Sequence, residues 1–303
     1  FALPIVWDFT ELCPLTKLSG GYLGAVEWIG CFLEHVLLAL ASAEPATVLQ
    51  QSATVGALRG FDVIVTDPPY YDAIPYSDLM DFFYVWLRRT LRDLTRDIDA
   101  TFASPLAPKW NHETEDGELI DDAARHGGNA EASKKAYENG MARAFQACHA
   151  ALVGHGRLVI VFAHKHPDAW ETLVSAIIRA GFVVDGSWPI STEMANRTRA
   201  QSSAALASSV WLVCRKRDPL AKVGWDNRVL AEMRENIQVK LREFWDAGIR
   251  GPDFVWAATG PAMEAYSKYP AVKKANSPAG EFLSVREFLD AVRRIVIEFV
   301  VGR

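Results

Sequence analysis

The sequence predicts an α/β protein with an open, doubly wound sheet and a C-terminal helical appendage. Three observations carry that expectation. FDVIVT at 61–66 is a near-continuous apolar, β-branched run, the signature of a strand covered on both faces. Residues 157–163, RLVIVFA, repeat the pattern, with helical periodicity between and after the two runs. Beyond Pro219 the pattern is helical throughout, interrupted at Gly251-Pro252 and Gly260-Pro261. The expected division is 1–218 for the sheet-bearing part and 219–303 for the appendage.

Taken in order, the opening to Ser19 is irregular, and a helix is expected from about Gly24 to Ala43, with Val26, Ile29, Phe32, Leu33, Val36, Leu37 and Leu40 on its apolar face. Thr47, Val48 and Leu49 form a short candidate strand. The 61–66 strand ends at Asp67-Pro68-Pro69-Tyr70, because prolines lack the ladder donor and the chain must leave the sheet there. The carboxyl end of such a strand is where open α/β sheets place their ligands. A helix from about Ser77 to Leu94 follows, with Ser77 as N-cap, Asp78 and Asp81 in its first turn and Arg88, Arg89 and Arg92 towards its end, matching the helix dipole. Its stripe Phe82, Phe83, Val85 and Trp86 reads as core. Residues 102–130 are polar and longer than an ordinary connection, as a mobile active-site loop would be. A helix then runs to Val153, closed by Gly154-His155-Gly156, and another follows the 157–163 strand from about Asp168 to Ala180, ended by Gly181. Two further strands, 182–188 and 208–215, are expected to pair antiparallel across a polar loop.

Composition narrows the function. Half of the 303 residues are apolar, 11% are aromatic and 23% are charged, which suits a packed core. A net charge of −5 excludes a chain whose whole surface is a footprint for nucleic acid, so any such contact must be local. No run of about 18 uninterrupted apolar residues stands out, and the first residues lack the basic region of a signal peptide, so a cytoplasmic setting without a membrane contact is expected. Cys13, Cys31, Cys148 and Cys214 form no CxxC pair and read as buried thiols.

The chemistry concentrates at Thr66-Asp67-Pro68-Pro69-Tyr70. Asp-Pro-Pro alone is good turn chemistry. At the tip of a buried strand it also supplies two acceptors, the Asp67 carboxylate and the Pro68 carbonyl held in direction by the prolines, beside a flat ring, Tyr70. That set fits an exocyclic amine, whose two hydrogens need acceptors while the heterocycle stacks. Hydrogen bonds favouring a pyramidal nitrogen make such an amine more reactive towards the sulfonium methyl of S-adenosylmethionine, with no covalent intermediate.

On these residues the chain resembles the amino-methyltransferases of nucleic acids, and more narrowly a family of large adenine-specific DNA methylases that often carry a zinc-ribbon segment. The matching stretches are TDPPYYDAIPYSDLMDFFYVWLRR at 66–89, WPISTEMANR at 188–197, SSVWLVCRKR at 208–217 and GIRGPDFVWAATGPAMEAYSKYP at 248–270. The resemblance implies a Rossmann-like methyltransferase fold, S-adenosylmethionine as cofactor, DNA as partner and transfer to the N6 amine of adenine. It implies that Asp67 and Pro68 hold the amine, with Pro69 between them and the stacking Tyr70, and that Asp67 also borders the cofactor. Tyr71, Asp72 and Tyr76 belong to the narrower family's extension and are candidate substrate contacts, together with Arg197. Arg199, Arg215, Lys216 and Arg217 are further candidates for phosphates. Cytosine N4, or an amine in RNA, remains an alternative target.

Two departures qualify the resemblance. The family's Gly-rich turn after a first strand is absent, since Gly20, Gly21 and Gly24 follow no strand, and Ser52 stands where an acidic residue contacts the cofactor's adenine. The chain therefore looks like the carboxyl-terminal part of such a protein, with the missing part, or a partner chain, supplying the first strands. A catalytically silent fragment that binds nucleic acid or a partner is the rival reading. With strands missing, either residues 47–49 pair with the 61–66 strand or its edge lies open. His112, Glu113, Glu115, Asp116 and His126 lack metal-ligand spacing and no metal is expected, while His164 and His166 read as a surface turn.

Overall fold

A computed structural model describes residues 15, 21–49, 51–56, 58–72, 74–103, 109–192, 208–249, 252–277 and 280–302. The chain forms two compact units, Phe1–Gln51 and Ser52–Arg303. The first contributes one described helix, α1 (Tyr22–Ala39), none of whose residues is buried. With a mean hydropathy of 1.3 over its 18 residues, α1 is long and apolar enough to cross a membrane by length and composition, although Glu27 and Glu34 interrupt it. This departs from the expectation of no such segment. Cys31 lies exposed on α1, not buried.

The second unit is a mixed α/β structure built on a four-stranded sheet. β1 (Phe61–Thr66) is followed by α2 (Tyr76–Thr90), α3 (Arg96–Thr101), the small hairpin β2 (Trp110–Asn111) and β3 (Asp116–Gly117), and a 3-10 turn at Ala123–His126. Then come α4 (Ala130–Ala151), β4 (Leu152–Phe162), α5 (Pro167–Arg179), β5 (Phe182–Ser191) and β6 (Ser208–Lys216). The sheet order is β1-β4-β6-β5, with β1 parallel to β4 and the other two pairs antiparallel. The antiparallel pairing expected of the last two strands is present, and Trp188 faces Trp211 across it. β7 (Gly224–Trp225), α6 (Asp226–Asp246), α7 (Pro252–Ala257), α8 (Thr259–Ser267), β8 (Val272–Lys273) and α9 (Val285–Val301) complete the chain.

The helices beyond residue 219, expected as an appendage, share one core with the sheet. Trp170 of α5 stacks on Trp256 of α7 with centroids 5.4 Å apart and planes 7° from parallel, and Phe162 of β4 meets Trp170 edge-on. Leu158, Ile160, Phe162, Ile177 and Leu212 are fully buried at the centre. Each such side chain contributes roughly 1.5–3 kcal/mol of burial. A Cβ at Gly260 would collide with the Ser187 side chain, so α8 reaches β5 only because that position is glycine.

Two expectations are corrected at the border of the sheet. Residues 44–49 take no regular structure, so 47–49 is not a strand, and β1 has β4 as its only neighbour among the described residues. β1 is also not covered on both faces: Phe61, Val63 and Val65 are 38%, 56% and 61% exposed, whereas Ile64 on the other face packs against the core. The apolar run reflects cover that the described residues do not provide. α2 is similarly bare. No residue of it is buried, and Phe82, Phe83, Val85 and Trp86, read from sequence as core, are exposed. Gly156 allows β4 to approach β1 closely, since a Cβ there would lie 3.0 Å from the Asp62 carbonyl, where the pairing register shifts.

Alternate amides of β1 face the open side. Hydrogen exchange is therefore expected to be fast at those amides and slow at Leu158, Ile160 and Leu212; equal protection across β1, β4 and β6 would contradict an open edge.

Candidate active site

β1 ends at Thr66, whose hydroxyl bonds the Val159 carbonyl of β4 (3.2 Å), and the chain leaves the sheet through Asp67-Pro68-Pro69-Tyr70. A cavity of about 240 Å³ lies there, lined by Asp67, Pro68, Pro69, Tyr70, Ile74 and Tyr76. Asp67 is exposed and the next three residues are half-buried. The Tyr70 hydroxyl donates to Asp67 Oδ1 at 2.6 Å, and the Tyr70 ring sits edge-on to Phe162 with centroids 5.3 Å apart. Burial, and then the Asp67 carboxylate, push the Tyr70 phenol well above its ordinary range, so it stays protonated and remains a donor. Among the described residues no donor engages Asp67 Oδ2 or the Pro68 carbonyl. These are two free acceptors beside an aromatic ring.

The loop is braced from behind. Tyr71 takes a left-handed backbone (φ 57°), uncommon for an aromatic residue, and is nearly buried. The Tyr137 hydroxyl of α4 accepts from the Tyr71 N–H (3.1 Å) and donates to the Pro69 carbonyl (2.6 Å). Asp121 closes the other side: its N–H donates to the Tyr71 carbonyl (3.1 Å) and its carboxylate accepts from the Tyr71 and Ser133 hydroxyls. Burial raises the Tyr137 and Tyr71 phenols, which keeps both as donors. Because Tyr137 takes the Pro69 carbonyl, the Pro68 carbonyl is left for another partner.

Asp72 accepts from His164 Nε2 at 3.0 Å. The His166 N–H donates to His164 Nδ1 (3.0 Å), which leaves the ring proton of a neutral His164 on Nε2. Burial lowers the pKa of this imidazole against the opposing pull of Asp72. His164 is thus buried and structural, not part of a surface turn. Tyr76 opens α2, capped by Pro75; Ser77, expected as the N-cap, instead bonds Glu118 through both its hydroxyl (2.6 Å) and its N–H (3.0 Å). Buried Arg125 ties Glu118 (2.6 Å), Ser77 (3.1 Å) and Asp122 (3.4 Å) together. Lys109 pairs with Asp78 and Asp81. The described part of the 102–130 stretch, expected as a mobile loop, is therefore fastened to the start of α2.

Of the predicted site residues, Asp67, Pro68, Pro69, Tyr70 and Tyr76 come together. Tyr71 and Asp72 lie behind the cavity as supports. Ser52 is elsewhere: its hydroxyl bonds Thr54 and Asp116, each at 2.9 Å. Arg197 and Arg199 lie outside the described residues. Arg215 pairs with Asp185 (3.0 Å), Lys216 bonds the Leu152 carbonyl (2.7 Å) and Arg217 bonds the Ile178 carbonyl (2.9 Å), so these three hold the sheet and do not await phosphates. Sequence reasoning missed Tyr137, Asp121 and Phe162. Nothing in their local sequence marks them, for their roles arise from contacts up to 92 positions away from the loop they support.

Comparison with protein-family profiles, with curated proteins and with solved structures gives no match for this chain.

Tyr137→Phe removes both bonds of the brace and leaves the buried Tyr71 N–H without a partner. A loss of about 1–3 kcal/mol in urea unfolding is expected; an unchanged unfolding midpoint would show that the hydroxyl does not carry the loop.

Proposed function

We propose that the tip of β1 is the amine-holding part of a nucleic-acid amino-methyltransferase, with the N6 amine of adenine in DNA as its target. One observation carries the reading: Asp67 Oδ2 and the Pro68 carbonyl are unengaged acceptors lining one cavity with the Tyr70 ring. The two amine hydrogens meet the two acceptors and the base lies against the phenol. A base in duplex DNA reaches the cavity only when extruded, at a cost of a few kcal/mol, and stacking on an aromatic side chain returns roughly 1–3 kcal/mol per base.

The expected methyl donor is S-adenosylmethionine, and the described residues do not fit it. Ser52 is committed to Thr54 and Asp116, no Gly-rich turn follows a strand, and about 240 Å³ is small beside the 300–1,000 Å³ typical of ligand sites. The reading therefore assigns this chain the holding of the amine and not of the donor.

A double-mutant cycle between protein and base tests it. A duplex with one unpaired adenine should bind the wild-type protein at least tenfold more tightly than Asp67→Asn. Replacing that adenine by purine, which lacks the amino group, should cost the wild type the same factor and the variant nothing further. Additive losses would separate Asp67 from the amine and refute the reading, and the same cycle with cytosine decides between the two amines.

A further inference from the structure

The strand that carries Asp67 is the one whose other side is open. Six residues of β1 present unpaired N–H and C=O groups at the sheet border, and Phe61, Val63 and Val65 stand bare on one face. Only another polypeptide backbone offers donors and acceptors at the spacing these groups require, because strands pair at about 4.8 Å with both partners alternating. Lipid and nucleic acid lack that alternation. The amount of bare surface is also that of an interface: the exposed halves of Phe61, Phe82, Phe83 and Trp86 come to roughly 400 Å² at 150–250 Å² per ring, and Val63 and Val65 carry the total past half of the ~800 Å² that one partner gives a standard complex. A second copy of this chain suits the edge poorly. Two-fold symmetry would bring β1 against β1, and each copy would present the same bare Phe61, Val63 and Val65 face.

We propose that the open edge of β1 is the docking site for a β-strand of a different protein chain, apolar on the face shared with Phe61, Val63 and Val65. One end of that strand lies beside Asp67 and closes the cavity at the tip of β1. The consequence for activity rests on the reading of Asp67 given above; the pairing itself does not, and it is measured without any reaction. Completion of the site in this way makes the chain inert alone and competent only in complex.

The probe is a fluorescent peptide of residues 157–163, the sequence that already pairs with β1 on its inner side. Its control is the same peptide with alternate amides N-methylated, which keeps the side chains and removes the ladder donors. The proposal expects saturable binding to the wild-type chain, at least tenfold weaker for the methylated peptide, with slower amide exchange at Phe61–Thr66. Val65→Lys, a charge on the open edge, should abolish binding while leaving the circular dichroism unchanged. Asp67→Asn should bind the peptide as the wild type does, which separates failure of the docking site from failure of the amine site. Absence of binding, equal affinity for both peptides, or a dimer in sedimentation that the peptide does not dissociate would each overturn the proposal, the last by assigning the edge to a second copy.

Discussion

The geometry at the tip of β1 depends on one hydroxyl. Tyr137 receives a hydrogen bond from the Tyr71 N–H and gives one to the Pro69 carbonyl, and it does so from α4, a helix seated against β4 and α5. A left-handed tyrosine and two consecutive prolines are costly to hold in one arrangement, with strain at such a backbone position on the order of 1–3 kcal/mol. The helix supplies the rigidity that the loop lacks, and the choice of carbonyl has a chemical effect. With Pro69 engaged, Pro68 is the carbonyl that remains for a ligand.

Around this brace the charges are arranged to keep groups in one protonation state. The phenols of Tyr70, Tyr71 and Tyr137 are all raised by burial, so each stays a donor, and their acceptors are fixed: Asp67, Asp121 and the Pro69 carbonyl. His164 is held neutral by burial with its proton towards Asp72. The site has no titrating group that must change state to bind a neutral amine. Such an arrangement suits holding and orienting, and the open border of β1 places this rigid half-site where another chain can complete it.

Much of the scaffold was legible in the sequence because it rests on local periodicity. The β-branched runs marked β1 and β4, Asp-Pro-Pro marked where β1 must end, and the polar loop between two apolar runs marked the β5–β6 antiparallel pair. Boundaries moved where glycine was over-read: Gly154 and Gly156 lie inside β4, which begins at Leu152, and do not cap the preceding helix. The environment of each element was not legible. A run of apolar residues specifies that a strand wants cover without saying that cover is present, and so β1 and α2 proved bare. The front of the site, Asp67 to Tyr70, followed from residue chemistry, whereas its support by Tyr137, Asp121 and His164 is a product of tertiary contacts with no pattern of spacing.

The most direct measurement is a titration of the ¹⁵N-labelled protein with adenosine and, separately, with N6,N6-dimethyladenosine, followed at the amides of Asp67 and of Tyr70 to Asp72. The two ligands share the ring, but the second has no amine hydrogens. The account predicts saturable shifts at these amides with adenosine and none at matched concentration with the dimethyl compound. Equal shifts with both would mean that the ring alone is bound, and that the carboxylate and carbonyl at the strand tip do not hold an amine.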